Sequence, residues 1–279
     1  MSHLKLIRMN TSHINRHFAA IGARFKLTHE AKAPRARLQD YAIDIDHDSH
    51  GAFFALRVPE ALDASLDVNV MQSEKHTRHL LLFVRKGEGQ NAVKDRFLCG
   101  HDERHWFVAA VPGGASSVAQ AKEALKPAGV REAQAQSGLN HSQRNSRKNR
   151  AFRRQGEWFF VEEPGLVVDP KLILRNEPMS RGSGSKPHYV AEIFRTGGES
   201  VFVHRRYPGG VSAEEQKQSL DRGETRRSEW RMMKRNAGVY ARGTVRHADH
   251  EVIKLHQWHR VFMNTESQSR TMANVAFLD

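Results

Sequence analysis

From Val239 to Arg246 the chain alternates without a break. Val239, Ala241, Gly243 and Val245 fall on one side; Tyr240, Arg242, Thr244 and Arg246 fall on the other. A period of two is the period of a β-strand, because successive side chains leave a pleated backbone on opposite faces. The stretch therefore predicts a strand with one apolar and one basic face. Residues 251–255, EVIKL, are β-branched enough to return as a second strand, with the tetrapeptide HADH at 247–250 as the connection.

Other short apolar runs bounded by turn residues predict further strands. These are AFFALRV at 52–58, HLLLFVR at 79–85, and RFLCG and WFVAAV around the polar HDER turn; together they form an antiparallel meander. GEWFFVEE, beginning at Gly156, is another strand. Residues 188–195 and 199–204 flank Thr196-Gly197-Gly198 as a β-hairpin, and 273–278 is a last edge strand. Helical spacing is rarer. Ile14, Phe18 and Ile21 define a helix over 12–22, capped by Thr11 or Ser12 and stopped by Gly22. A short helix or turn follows Pro34 at 35–41. Ser117 with Gln120, and Ser212 with Glu215, are capping boxes that open two more helices. Trp230 and Met233 at i and i+3 suggest a helix over 228–236. The expected class is α+β: antiparallel sheets with a few short helices, in two sheet-rich halves.

The halves are expected at 1–132 and 157–279. Between them, 133–156 holds no acid and carries Arg144, Arg147, Lys148, Arg150, Arg153 and Arg154 within eleven residues. It reads as a basic linker or exposed loop.

Charge narrows the partner class. Lys and Arg number 44 against 31 Asp and Glu, giving a net charge of +13 and a pI near 10.2. Such a balance favours polyanions: nucleic acid, RNA or DNA, first and an anionic membrane surface second. An acidic protein partner, or self-association of a structural or assembly protein, is the third class. In the nucleic-acid reading the six cations of 144–154 neutralise phosphates, and Trp158 and Phe152 offer stacking faces. Cys99 is the only cysteine, so no internal disulfide can form, and a cytoplasmic, reducing setting is expected. No apolar run reaches the length of a membrane span. The basic first forty residues lack a secretory h-region and are read as part of the mature fold.

The chemistry-bearing candidates are histidine-rich. In HADH, His247, Asp249 and His250 have the ligand types for a divalent metal, zinc or manganese, which would activate water for phosphodiester or ester hydrolysis. His256 or His259 could add a ligand or a proton donor. The run resembles in part the HxHxDH motif of metallo-β-lactamase-like hydrolases, with Val245 where the first histidine would stand. The competing reading is a plain hairpin turn in which Asp249 bonds local backbone N–H groups. DIDHDSH at 44–50 is either a cation-binding loop or a solvated one; EF-hand spacing is not met. Cys99 and His101 share one side of a strand, as a thiolate–imidazole pair or as an inert core thiol beside a turn. SRGSGSK at 180–186 misses the P-loop spacing and reads as a flexible loop.

Overall fold

The computed structural model describes residues 10–30, 40–180 and 186–268. Residues 35–39 of the expected element at 35–41, the expected strand at 273–278, and residues 181–185 of the glycine–serine loop lie outside them. The described residues form five helices and sixteen strands in four sheets, an α+β arrangement dominated by antiparallel pairing. No helix among them is long and apolar enough to cross a membrane. The chain divides into two compact units, with the main boundary between Leu125 and Lys126.

The first unit opens with α1 (Thr11–Ala20), whose cap is Asn10: its Oδ1 accepts from the His13 N–H at 3.0 Å. Ile14 and Phe18, one turn apart, are its buried stripe. Strands β1 (Phe25–Glu30), β2 (Ala42–Asp48) and β3 (Gly51–Pro59) make a sheet in the order β1-β3-β2, with β1 and β3 parallel. Central β3 buries Phe53 to Leu56 in succession, because both of its faces are covered. DIDHDSH is thus not a loop: most of it is β2. Its Asp48 accepts from Lys26 and Arg24 at 2.6 and 2.7 Å, and these cations hold the carboxyl well below the usual range.

The meander follows as β4 (Leu66–Glu74), β5 (His79–Lys86), β6 (Val93–Asp102) and β7 (His105–Ala110), paired in sequence order. Leu80, Leu82 and Val84 of β5 enter one core; Leu81 enters another, beneath α2 (Val118–Ala124). Cys99 is fully buried in the first of these cores, and burial pushes its thiol up, so it is a packing residue.

The second unit begins with α3 (Ala128–Gln136), α4 (His141–Arg144), β8 (Arg153–Gln155), β9 (Trp158–Glu162), β10 (Leu174–Met179) and β11 (His188–Thr196). Then come β12 (Glu199–His204), β13 (Tyr207–Val211), α5 (Ala213–Asp221), β14 (Arg231–Arg235), β15 (Gly238–Arg246) and β16 (Ile253–Met263). Six strands form one sheet in the order β10-β11-β15-β16-β9-β8. The alternation of 239–246 is realised: Val239, Ala241 and Val245 are buried in the core of this sheet, and β16 returns antiparallel after HADH. Every member of that core, from Trp158 to Met179 to Val261, belongs to the same sheet, which therefore curls to close its own apolar face. The Trp158 and His188 rings confirm the curl. Their strands are three places apart, about 14 Å in a flat sheet, yet the ring centroids are 6.2 Å apart.

Three expectations change here. The stretch 133–156 is not a linker. It contributes the end of α3, all of α4 and β8 to the second unit, and Leu139, Ala151 and Phe152 are buried against Phe159. Basic composition hid this, because the packing residues are few and widely spaced among the arginines. The strands at 188–196 and 199–204 do not pair as a hairpin: β11 pairs with β10 and β15, and β12 with β13 and β14. Residues 231–235 are a strand rather than a helix, since Met233 pairs with Val201 across β12. Trp230 instead stacks on Tyr207 and donates from Nε1 to Thr225 Oγ1 at 3.0 Å.

Candidate metal centre

At one end of the curled sheet, three imidazoles come together: His188 at the start of β11, and His247 and His250 in the turn after β15. One ligand nitrogen from each lies within 4.8 Å of the others. The rings lie face to face, His188 at 4.2 Å from His247 and 5.6 Å from His250, and His247 at 4.6 Å from His250. His188 is only 1% exposed, and neither of its ring nitrogens has a hydrogen-bond partner. A neutral imidazole offers one donor and one acceptor, and each orphaned polar atom in a buried site costs about 1–3 kcal/mol.

The sequence places these rings by simple means. His188 shares the inward face of β11 with Val190, so the strand that buries Val190 also buries the ring. The turn that carries His247 and His250 is tied down by Gln155, itself fully buried in β8. Its Nε2 donates to the Glu251 carbonyl at 2.5 Å and to the Val245 carbonyl at 3.4 Å. Gly156 next to it has a positive φ of 58°, and a Cβ there would meet His250 Nε2 at 2.8 Å and His188 Nε2 at 3.5 Å. Glycine is thus required twice, for the left-handed backbone and for the close approach. Both of these Nε2 atoms face the Gly156 backbone, which marks where they converge.

Burial favours the neutral form of two of the rings, His188 and His250. Burial first, and then His247 and His250, push His188 down to about 3. Burial and His247 push His250 down to about 4, opposed by Glu157 and Asp249 and assisted by Arg147. Neutral imidazoles keep a free lone pair, the form that ligates metal. His247 Nδ1 accepts from the Asp249 N–H at 3.1 Å. That contact occupies the Nδ1 lone pair, so this ring would hold a metal either through Nδ1 in place of the Asp249 N–H, or through Nε2 with the ring proton on Nδ1 and the Asp249 contact given up.

Of the expected ligands, His247 and His250 are brought together and Asp249 is not a member of the group. Its carboxylate holds Lys186, with Nζ–O distances of 2.8 and 2.9 Å. His188 takes its place. His259 lies away from the group, opposite Ala241 in the β15–β16 pairing, and His256 is exposed on β16.

The expected nucleic-acid residues are dispersed. Trp158 is fully buried in the sheet core and offers no open stacking face; Phe152 is likewise buried. Arg144 is partly buried, with Nε donating to the Leu139 carbonyl at 3.3 Å. Arg153 and Arg154 are partly buried on β8, while Lys148 and Arg150 are exposed. Arg147 is drawn into the histidine site: burial and the neighbouring Arg154 charge pull its guanidinium down to about 10, against Glu251. The basic segment, itself closed by the Arg154 N–H donating to the Arg147 carbonyl at 2.7 Å, therefore borders the HADH turn, to which the next residue, Gln155, is hydrogen-bonded.

His188, Gln155 and Gly156 escaped the sequence reading. His188 carried one usable signal, a histidine on the apolar side of a strand; nothing local linked it to a turn 59 residues later. Comparison of the chain with known protein families, curated protein sequences and solved structures finds no match.

Proposed function

We propose that His188, His247 and His250 form a divalent transition-metal centre, and that the centre serves hydrolysis of a phosphodiester or related anionic ester. The observation that carries the reading is the buried His188 ring, with both nitrogens unpartnered and two further imidazoles against it. Three histidines are the ligand set of open zinc sites, which leave a fourth position for water. A metal so bound lowers the pKa of that water to about 7 and polarises a bound ester. The chain's own residues supply the rest. Gln155 and Gly156 hold the turn and leave room beside the Nε2 atoms. Arg147, close enough to act on His250, and Arg154 beside it give the surroundings a positive potential suited to an anionic substrate. A cytoplasmic setting fits the single buried thiol.

Elemental analysis of the purified chain should find about one zinc or manganese per molecule. His188→Ala should abolish stoichiometric binding, and with it turnover of a phosphodiester reporter. Binding that survives in His188→Ala, or a chain that takes up neither ion when titrated at neutral pH, would sink the proposal.

A further inference from the structure

The outward face of the six-stranded sheet carries the basic half of the 239–246 alternation, and its neighbours continue the pattern. In one row across three strands, Phe194 pairs with Tyr240 and Tyr240 with Arg260. Two residues along β15 stands Arg242, then Thr244 opposite Lys254, then Arg246 opposite Tyr189. A half-buried or exposed ring thus stands beside a cation at both ends of the patch: Tyr240 with Arg260, and Tyr189, 43% exposed, with Arg246. The Phe194 and Tyr240 rings lie 6.0 Å apart and 30° from parallel.

The charges are unbalanced. Arg242 and Arg175 share the carboxylate of Glu192, at 2.6 and 3.1 Å. Arg246, Lys254 and Arg260 are exposed, and among the described residues none of them is ion-paired. Arg246 donates to the neutral Asn176 amide at 2.8 Å, and Arg260 lies over the Phe262 ring, 5.1 Å from its centroid. These contacts orient the two guanidinium groups without neutralising them. With no ion pair to offset them among the described residues, these three cations give the face a positive potential that a polyanion would meet.

We infer that this face, on β11, β15 and β16, docks a single-stranded nucleic acid. Unpaired bases can stack on Tyr240 and Tyr189, while Arg246, Lys254 and Arg260 meet the phosphates. A duplex hides its base faces in its own stack and would use the cations alone. The assignment moves the nucleic-acid interface from segment 144–154 to the sheet, and it does not rest on the metal centre.

The test is fluorescence anisotropy of the full chain, kept in chelator so that no cleavage intervenes, with a labelled 20-mer of poly-U or poly-dT and with a duplex of the same length. The single strands should bind more tightly than the duplex. The triple variant Arg246→Gln, Lys254→Gln, Arg260→Gln should lose about tenfold or more in affinity, and its log K against log salt slope should flatten by about 2, the change for three lost contacts to a single strand. Tyr240→Leu should weaken binding about tenfold with the slope unchanged, as loss of stacking requires. If the triple variant fails to fold, Lys254→Gln alone should flatten the slope by about 0.7. The inference is overturned if wild type does not bind at low salt, if duplex binds as tightly as the single strands, or if the cation variants bind like wild type. A loss confined to Lys148→Gln with Arg150→Gln would place the interface on segment 144–154 and overturn it too.

Discussion

His259 shows what one buried ring contributes. It is 1% exposed, its Nδ1 meets the Gln257 carbonyl at 2.7 Å, and its Nε2 lies 3.8 Å from Glu162 Oε1. Burial holds its pKa below the ordinary 6.5, although the Gln257 carbonyl and Glu162 pull the other way. Below pH 6.5 the unfolded chain therefore binds the proton more readily than the folded one, and stability falls as pH drops from 6.5 toward the lower folded value. Urea midpoints should decrease between pH 7 and pH 5, and His259→Gln should decrease less over the same interval. An identical decrease in both proteins would assign the acid sensitivity to other groups. At this scale the sequence was partly legible. His247 and His250 were found because they are near neighbours with ligand chemistry, and Asp249 was added for the same reason. Its true partner, Lys186, and the true third ring, His188, are reached through the antiparallel pairing of β11 with β15, which sets Tyr189 opposite Arg246 and which no local pattern encodes.

Among the elements, β8 is three residues long but holds the site together. Its Gln155 supplies the hydrogen bonds that fix the turn after β15, so Gln155→Ala leaves the Glu251 carbonyl without that donor and opens a void. The expected cost is about 1–3 kcal/mol of stability. Hydrogen exchange should speed up at 247–251, and metal affinity should drop about 10- to 100-fold, as for other supports of a ligand shell. Unchanged exchange at 247–251 would show that the turn holds itself. Strands whose own pattern decides their burial were readable in advance: β5, with Leu80 to Val84, and β15, with its strict alternation. Those decided by partners were not. Met233 of β14 stands at helical spacing from Trp230, just before the strand, but Met233 is claimed by the pairing with Val201. β8 lies in an arginine-rich run whose charge suggested solvent, while Ala151, Phe152 and Gln155 supply the packing.

At the scale of the whole molecule, an α+β chain dominated by antiparallel sheet was expected, and the described residues form one. The pairing of β11 with β15 has a wider consequence. Its last register pair is Thr196 with Gly238, and the 41 residues 197–237, with their own sheet β13-β12-β14 and helix α5, leave and return at that one point. A segment that departs and returns across a single pair is an excisable cassette. Splicing Thr196 to Gly238 through Asn-Gly, a dipeptide suited to a tight two-residue hairpin, would keep all six strands of the curled sheet and its three imidazoles. Loop-closure entropy changes only slowly with length, by about 0.6 kcal/mol per doubling, so the shortened chain should gain on the order of 1–3 kcal/mol from closure alone. It should still melt cooperatively and take up the same metal equivalent. Loss of cooperative melting would mean that the cassette is instead a scaffold on which β11 and β15 find each other. In the first case the 41 residues are free to diverge, acquire a separate ligand, or be exchanged between chains, while the histidine centre stays as it is.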